Sequence, residues 1–504
     1  MALIPLKIPA GVYRVGTDYE GSGRWHDANL VRWHGGSMRP VGGWAKRKDA
    51  SSDVTAPPRA MHTWIDNTAT SNIALATCNE LLYISSGGTA SDITPVGFTA
   101  GAASASVNTA YGGGYFGGNS NGSLYGVKQP SSGVFQEADT WSLDNWGEYL
   151  VGCSTGDGKL YEWTLNAAVP AAQIANSPED CKGLLVTEER FIFALQADGN
   201  PRKIAWCDRE DNITWTASAT NEAGDIELQT NGEIMAAARM RGRTIILTST
   251  DAHVATYQGA PFVYGFERVG TACGLASRKG LVAMEAGAFW MGKEAFFYFD
   301  GSVARQMPCD VQDFVFENLN DNQRTKVWAV HNSEYSEIWW FYPSSGATEC
   351  DSYVSYDYGE NHWEIGTLDR TCGSDQGVFD EPIWCDDTGI LYNHELHGIA
   401  HGTQTPFAES APISIGNGDT VMKVNQLIGD EETAGEVQVQ FKTRFHPNDT
   451  ERTYPSSSTY YSLTNMPTSV RFTGRQVRIR VEATGNEDWR VGTMRINAES
   501  GGRR

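Results

Sequence analysis

Between Ile73 and Tyr392, short apolar stretches alternate with polar turns in a rhythm that recurs along the chain. Copies begin at Gly147 (GEYLVGCSTGDGKLYEWTL), Arg190 (RFIFALQADGNPRKIAWCD), Gly242 (GRTIILTSTDAHVATYQGA), Gly287 (GAFWMGKEAFFYFDGSVARQM), Tyr335 (YSEIWWFYPSSGATECDSYVSYD) and Glu381 (EPIWCDDTGILYNHE). Each reads as two strands across a turn. The starts lie 43, 52, 45, 48 and 46 residues apart, and four short strands with their turns take roughly 40 to 50 residues. This period predicts a β-propeller built from four-stranded blades. The copies near Ile73 and Glu381 are weak, which leaves the blade number at six or seven. Within Ile338-Trp339-Trp340-Phe341-Tyr342 both faces are apolar, the mark of a strand buried between two neighbours.

The rest of the chain divides around this repeat. Residues 1–58 form a Trp- and Gly-punctuated lead in which Leu30-Val31-Arg32-Trp33 reads as a strand and Gly35-Gly36 as a hairpin turn. Residues 59–94 carry a first blade, so closure of the propeller is expected to involve the early chain. Residues 95–140 interrupt the repeat with a Gly/Ser/Tyr-rich insertion. A plain linker would not need the apolar anchors Tyr111, Tyr115, Phe116 and Tyr125, so a protruding hairpin or ordered loop is expected there. Residues 141–408 hold the remaining blades. From 409 to 504 the pattern becomes a clean alternation (VMKVNQLIG, EVQVQFKTRF, SVRFTGRQVRIRVEA, WRVGTMRINAE), which predicts a C-terminal β-sandwich. The fold class is therefore all-β.

Charge narrows the function. With 39 Lys and Arg against 61 Asp and Glu, the net charge is −22. Such a surface repels phosphates and argues against sequence-specific nucleic-acid binding, while suiting a conduit through which DNA passes without sticking. The nine cysteines are scattered with no C-x-x-C, so no disulfide framework or zinc knuckle is indicated, and folding in a reducing cytoplasm is expected. No membrane span and no export signal of the usual kind are expected.

Candidate chemistry is sparse. Gly118-Asn119-Ser120-Asn121-Gly122 has the letters of a nucleophile elbow without the strand and helix that an elbow requires. His394, His397 and His401 are close in sequence, but Gly398 and the strand before them argue against a metal-binding helix. Asp208, Glu210, Asp211 and Asn212 read as a solvated turn rather than a calcium loop. No catalytic, cofactor-binding or metal-ligating residue stands out, and no cofactor is expected. In Arg475–Val481, Val477, Ile479 and Val481 share one face, leaving Arg478 and Arg480 on the other as a candidate docking face for an acidic partner.

Four stretches carry a family resemblance: the lead with DANLVRW and GGSMRPVGGW; TWSLDNWGEYLVGCSTGDGKLYEW; the long run from MRGRTIILTSTDAHVATYQG to FFYFDGSVARQM; and VRFTGRQVRIRVEATGNEDWRVGTMRINAE. Together they resemble the tail nozzle proteins of short-tailed bacteriophages, also called tail-hub or packaged-DNA stabilisation proteins. The resemblance covers most of the chain. It implies a non-enzymatic virion protein, made and assembled in the host cytoplasm and placed in the virion tail. It also implies a hexameric ring below the portal-proximal adaptor, neighbouring tail needle, tailspike or fibre proteins, with a lumen that seals and then conducts DNA. In that setting the 95–140 insertion is a candidate lumen or tip loop. Two other readings stay open from the sequence: a receptor- or glycan-binding propeller, and a propeller glycosidase.

Overall fold

The computed structural model describes the chain except residues 1, 18–19, 108–134, 286, 416–419, 430–434, 436, 457–458, 464–466, 484, 486–487 and 503–504. Among the described residues, seven four-stranded antiparallel sheets follow one another as blades. They span 60–92, 141–173, 183–227, 234–271, 281–306, 328–367 and 372–396. The sequence repeats begin at or near the turn between the first and second strands of blades two to seven. Two of these turns are two-residue loops with a glycine in the loop: Trp146 pairs with Tyr149 around Gly147, and Met240 pairs with Arg243 around Gly242. Both glycines have positive φ (65° and 63°), as the tight turns matched to strand twist require.

The innermost strands of neighbouring blades touch all the way around, the seventh meeting the first. A hydrophobic cluster fills each contact between blades. Trp141, Leu150 and Trp163 of the second blade pack on Ala74, Ala76 and Leu81 of the first, and Cys372, Ile383 and Leu391 of the seventh meet Ile73, Leu75 and Leu82 of the first. The doubly apolar strand Glu337–Tyr342 serves two contacts at once, since successive side chains point to opposite faces. Trp339 faces Trp384 of the seventh blade at 5.4 Å, and Trp340 faces Phe296 of the fifth at 5.0 Å. The tryptophans are thus largely core: Trp141, Trp290, Trp339, Trp340 and Trp384 are fully buried.

The seventh blade lacks a fourth strand of its own and takes it from the lead. Gly43–Asp49 pairs antiparallel with Ile390–Leu396. The approach is close: a Cβ on Gly42 would lie 2.3 Å from Glu395 Cα, and one on Gly43 2.0 Å from the Ile399 carbonyl oxygen. Just before this strand, Val31–His34 and Ser37–Pro40 form a hairpin turning at Gly35 and Gly36, both with positive φ.

The C-terminal region forms two facing sheets, and the lead contributes to both. The first runs Ala2–Leu6, Met494–Ser500, Met422–Ile428, Thr468–Gly474; the second runs Trp25–Asn29, Phe407–Ser410, Gln476–Ala483, Val437–Arg444, Arg452–Tyr454. Residues 1–58 are therefore not a separate lead and the sandwich is not confined to 409–504. The lead supplies one edge strand to each sandwich sheet before it closes the propeller. Its burial explains this, since Trp25 and Trp33 are each only 4% exposed. They belong to one continuous core with Phe441, Ile479 and Ile496 of the sandwich and Met291, Phe296, Trp340 and Trp363 of blades five and six.

Candidate functional site

The first strand of every blade lines the axis, and small residues there (Ala60, Ala236, Ala238, Ala329, Gly373) leave an axial cavity of about 240 Å³. Its polar lining, Arg59, Ser142, Asp144, Arg278 and Lys279, comes from several blades, and further polar groups stand behind it. Arg239 donates to Asp144 Oδ1 at 2.8 Å, and Asp144 Oδ2 accepts from the Val186 backbone N–H at 2.8 Å. His62 Nε2 lies 2.6 Å from Asn145 Oδ1, and the Thr63 and Ser374 hydroxyls are 2.8 Å apart. Burial pushes the His62 imidazole below its usual pKa; Asp144 opposes this, and Arg239 and Lys279 add to it.

Lys279 also lines the cavity, and its ammonium makes no hydrogen bond or ion pair among the described residues. Enclosure by the ring lowers its pKa to about 8, only partly offset by Cys372 and Asp144. Among the cations of the lining it is the one with no counter-ion or carbonyl partner, whereas Arg59 and Arg278 leave only a buried Nε without one.

Where the innermost strands begin, the cavity is bordered by a charged cluster. Arg59 forks onto Glu349 at 2.5 and 2.8 Å, and Lys326 donates to the same carboxylate at 2.7 Å. Burial works against the Glu349 carboxylate, yet these two cations hold its pKa below the usual value. The same groups grip the base of the 95–140 insertion. Ser106–Val107 pairs with Phe135–Gln136, Arg59 donates to the Ala103 carbonyl at 2.9 Å, Lys326 to Ser104 Oγ at 3.0 Å, and Gln323 exchanges hydrogen bonds with the Ala105 backbone. The insertion's stem is thus a hairpin base tied down beside the axis. Tyr111, Tyr115, Phe116 and Tyr125, the candidate lumen or tip residues, and the G-x-S-x-G at 118–122 lie outside the described residues.

The remaining sequence candidates fall into ordinary structural roles. Arg478 and Arg480 do lie on the sandwich face opposite Val477, Ile479 and Val481, but neither guanidinium is held ready for a partner. Arg478 donates to Glu451 at 2.7 Å; Arg480 donates to Glu482 at 2.9 Å, sits 3.7 Å from Glu409 and covers the Phe407 ring at 3.6 Å. Intramolecular carboxylates neutralise this face, which corrects the expectation of an open basic patch. Asp208 and Asp211 close their own turn, accepting from the Arg209, Glu222 and Ile213 backbone and from the Thr214 hydroxyl. Among the described residues no group of three His, Cys, Asp or Glu is arranged to hold a metal.

The histidine trio separates. His397 is exposed, whereas His394 and His401 are buried against Trp44 of the closing strand, at 5.5 and 5.6 Å. His394 stacks on Trp384 at 4.2 Å, and its Nε2 accepts from Arg370 Nε at 3.0 Å. Burial first, then Arg370 and His401, hold its pKa well below the usual value. A group depressed in this way costs stability as pH falls below its unfolded value near 6.5, because the unfolded chain then binds the extra proton. Unfolding free energy, measured by denaturant between pH 7 and pH 5, should fall with pH. In His394→Gln, which keeps an acceptor for Arg370, the slope should be shallower by up to about 1.4 kcal/mol per pH unit. Equal slopes would mean that His394 does not titrate against the fold.

Lys279, Asp144, Arg239 and Arg59 were not singled out by sequence reasoning. A signal was present once the blades are set in register: a cation stands just before the innermost strand in five of the seven, at Arg59, Lys182, Arg278, Lys326 and Arg370.

Comparison of the sequence with models of known protein families and with curated proteins finds no match. Solved structures with a similar course of chain include virginiamycin B lyase from Staphylococcus aureus (TM-score 0.41, 6% identity, covering 68% of this chain and 96% of that one). The Pan2 WD40 domain of Neurospora crassa is another (TM-score 0.40, 9% identity, 70% of this chain and 96% of that one). A luciferin-regenerating enzyme matches at TM-score 0.33 and 10% identity, over 50% of this chain and 89% of that one. The fold class is that of the β-propellers, here with a β-sandwich attached.

Proposed function

We propose that this chain is a structural virion protein, a subunit of the tail nozzle ring of a short-tailed phage, which seals the packaged genome and conducts DNA during ejection. The observation that carries the reading is the resemblance in the four sequence stretches. In the fold these stretches fall on the lead, the second blade, the fourth and fifth blades and the last strands of the sandwich. The architecture is consistent with a ring subunit. One core runs from the sandwich into blades five and six, giving a stiff two-part body, and the net charge of −22 suits a wall past which DNA slides. The partners in this reading are further copies of the chain, six to a ring, a portal-proximal adaptor and a needle, spike or fibre protein. DNA passes through without base recognition.

The test is negative-stain electron microscopy with mass measurement, on the purified protein alone and with the adaptor. A sixfold ring with an axial hole is expected, either alone or once the adaptor is added. A monomer that persists and ignores the adaptor would overturn the nozzle reading and direct attention to glycan binding.

A further inference from the structure

We propose that the axial cavity of the propeller binds one small oxyanion, a phosphate or a carboxylate, on the ammonium of Lys279. This cavity belongs to a single subunit and is separate from any lumen formed by a ring of subunits, so the inference does not depend on the nozzle assignment. Its first support is charge matching. Each of the other cations beside the cavity already has a partner. Arg239 has Asp144 at 2.8 Å, Arg59 has Glu349 at 2.5 Å, and Arg278 donates to the Ile234 and Met235 carbonyls at 3.1 and 3.0 Å with Glu137 3.9 Å away. Lys279 alone among these is left without one.

The second support is what faces Lys279. Asp144 is the carboxylate closest to it electrostatically, and both Asp144 oxygens are engaged, one by Arg239 and one by the Val186 N–H. His62 is held neutral by burial, with Asn145 within hydrogen-bond distance of its Nε2. The neighbourhood therefore offers Lys279 no free acceptor of charge, while the lining includes the hydroxyl-bearing Ser142 as a donor for an oxyanion's remaining oxygens. The third support is space: at about 240 Å³ the cavity holds a tetrahedral oxyanion together with water. A charge enclosed without a counter-ion is unfavourable, and an anion entering from solution relieves it. A cation ligand would instead meet Lys279, Arg278 and Arg59 with no free carboxylate to hold it.

The experiment uses the full chain in a low-salt amine buffer at pH 7. Inorganic phosphate is titrated by calorimetry in one arm and acetate in the other, so that the two sources of oxyanion are distinguished. One saturable site per chain is expected for at least one probe, with affinity at least about tenfold weaker in Lys279→Met and largely kept in Lys279→Arg. The Lys279 side chain makes no bond that its removal would break, so Lys279→Met is expected to fold. Lys279→Gln offers a second neutral variant if it does not. As an independent readout, the preferred anion should raise the thermal midpoint of the wild type and leave that of the neutral variant unmoved. Heats no larger than dilution for both probes, or the same affinity in wild type and in the neutral variant, would overturn the proposal.

Discussion

Replacing Arg32 with methionine is expected to cost about 3–5 kcal/mol of unfolding free energy, the range for removing one partner from a buried ion pair. Arg32 comes from the lead and is 1% exposed. Its guanidinium forks onto Glu337 of the sixth blade at 2.7 and 2.9 Å and onto Glu395 of the seventh at 2.8 and 2.7 Å. Asn332 and Trp339 donate to Glu337, Asn332 and the Gly42 N–H donate to Glu395, and the Tyr335 ring lies 3.6 Å from the guanidinium carbon. Burial pushes the Glu337 carboxyl upward while Arg32 pulls it down. Without the arginine, two carboxylates would face each other in the dry interior.

The sign of the pH response follows. In the variant the Glu337 carboxyl, pushed up by burial and no longer pulled down by Arg32, has a pKa above that of the unfolded chain, so the variant's stability is best preserved in acid and is lost as pH rises through that value. The deficit relative to wild type, measured by denaturant titration, should therefore be larger at pH 8 than at pH 5. The triple variant Arg32→Met, Glu337→Gln, Glu395→Gln should recover much of the loss, because the buried charges are gone. A loss below about 1 kcal/mol in the single variant, or no recovery in the triple, would show that the cluster does not hold the lead to the ring.

The blades were legible in the sequence because their signal is local. A strand, a two-residue turn and a second strand declare themselves within about twenty residues, and the turns at Gly147 and Gly242 stand where the repeat places them. The pairing of distant segments was not legible in the same way. Ala2–Leu6 reads as an undistinguished opening until Met494–Ser500 lies beside it, and nothing within Gly43–Asp49 names Ile390–Leu396 as its partner. The axial site has the same difficulty. His62, Asp144, Arg239 and Lys279 come from four different blades, and only the radial arrangement brings their charges to bear on one another. Arg478 and Arg480 show the opposite failure: alternation placed them on the correct face, but their neutralisation by Glu451, Glu482 and Glu409 depends on strands far away in sequence.

A chain lacking residues 1–49 is expected not to reach the native state at all. The deletion strips the closing strand from Ile390–Leu396, leaving the seventh blade with an unpaired edge, and takes one edge strand from each sandwich sheet. It also removes Trp25 and Trp33 from the core shared by sandwich and propeller. Losing a buried tryptophan costs about 3–5 kcal/mol, and Glu337 and Glu395 lose their arginine at the same time. These three losses alone come to about 9–15 kcal/mol, as much as the roughly 5–15 kcal/mol that separates a folded domain from its unfolded chain, before the unpaired strands are counted. Deleting only residues 1–6 removes a single sandwich edge, so that chain should remain folded with a lowered thermal midpoint. Soluble yield and near-ultraviolet circular dichroism distinguish the two cases. If the longer deletion stayed soluble and unfolded cooperatively near the wild-type midpoint, closure by the lead would be incidental, and the ring would be held by the contacts between blades alone.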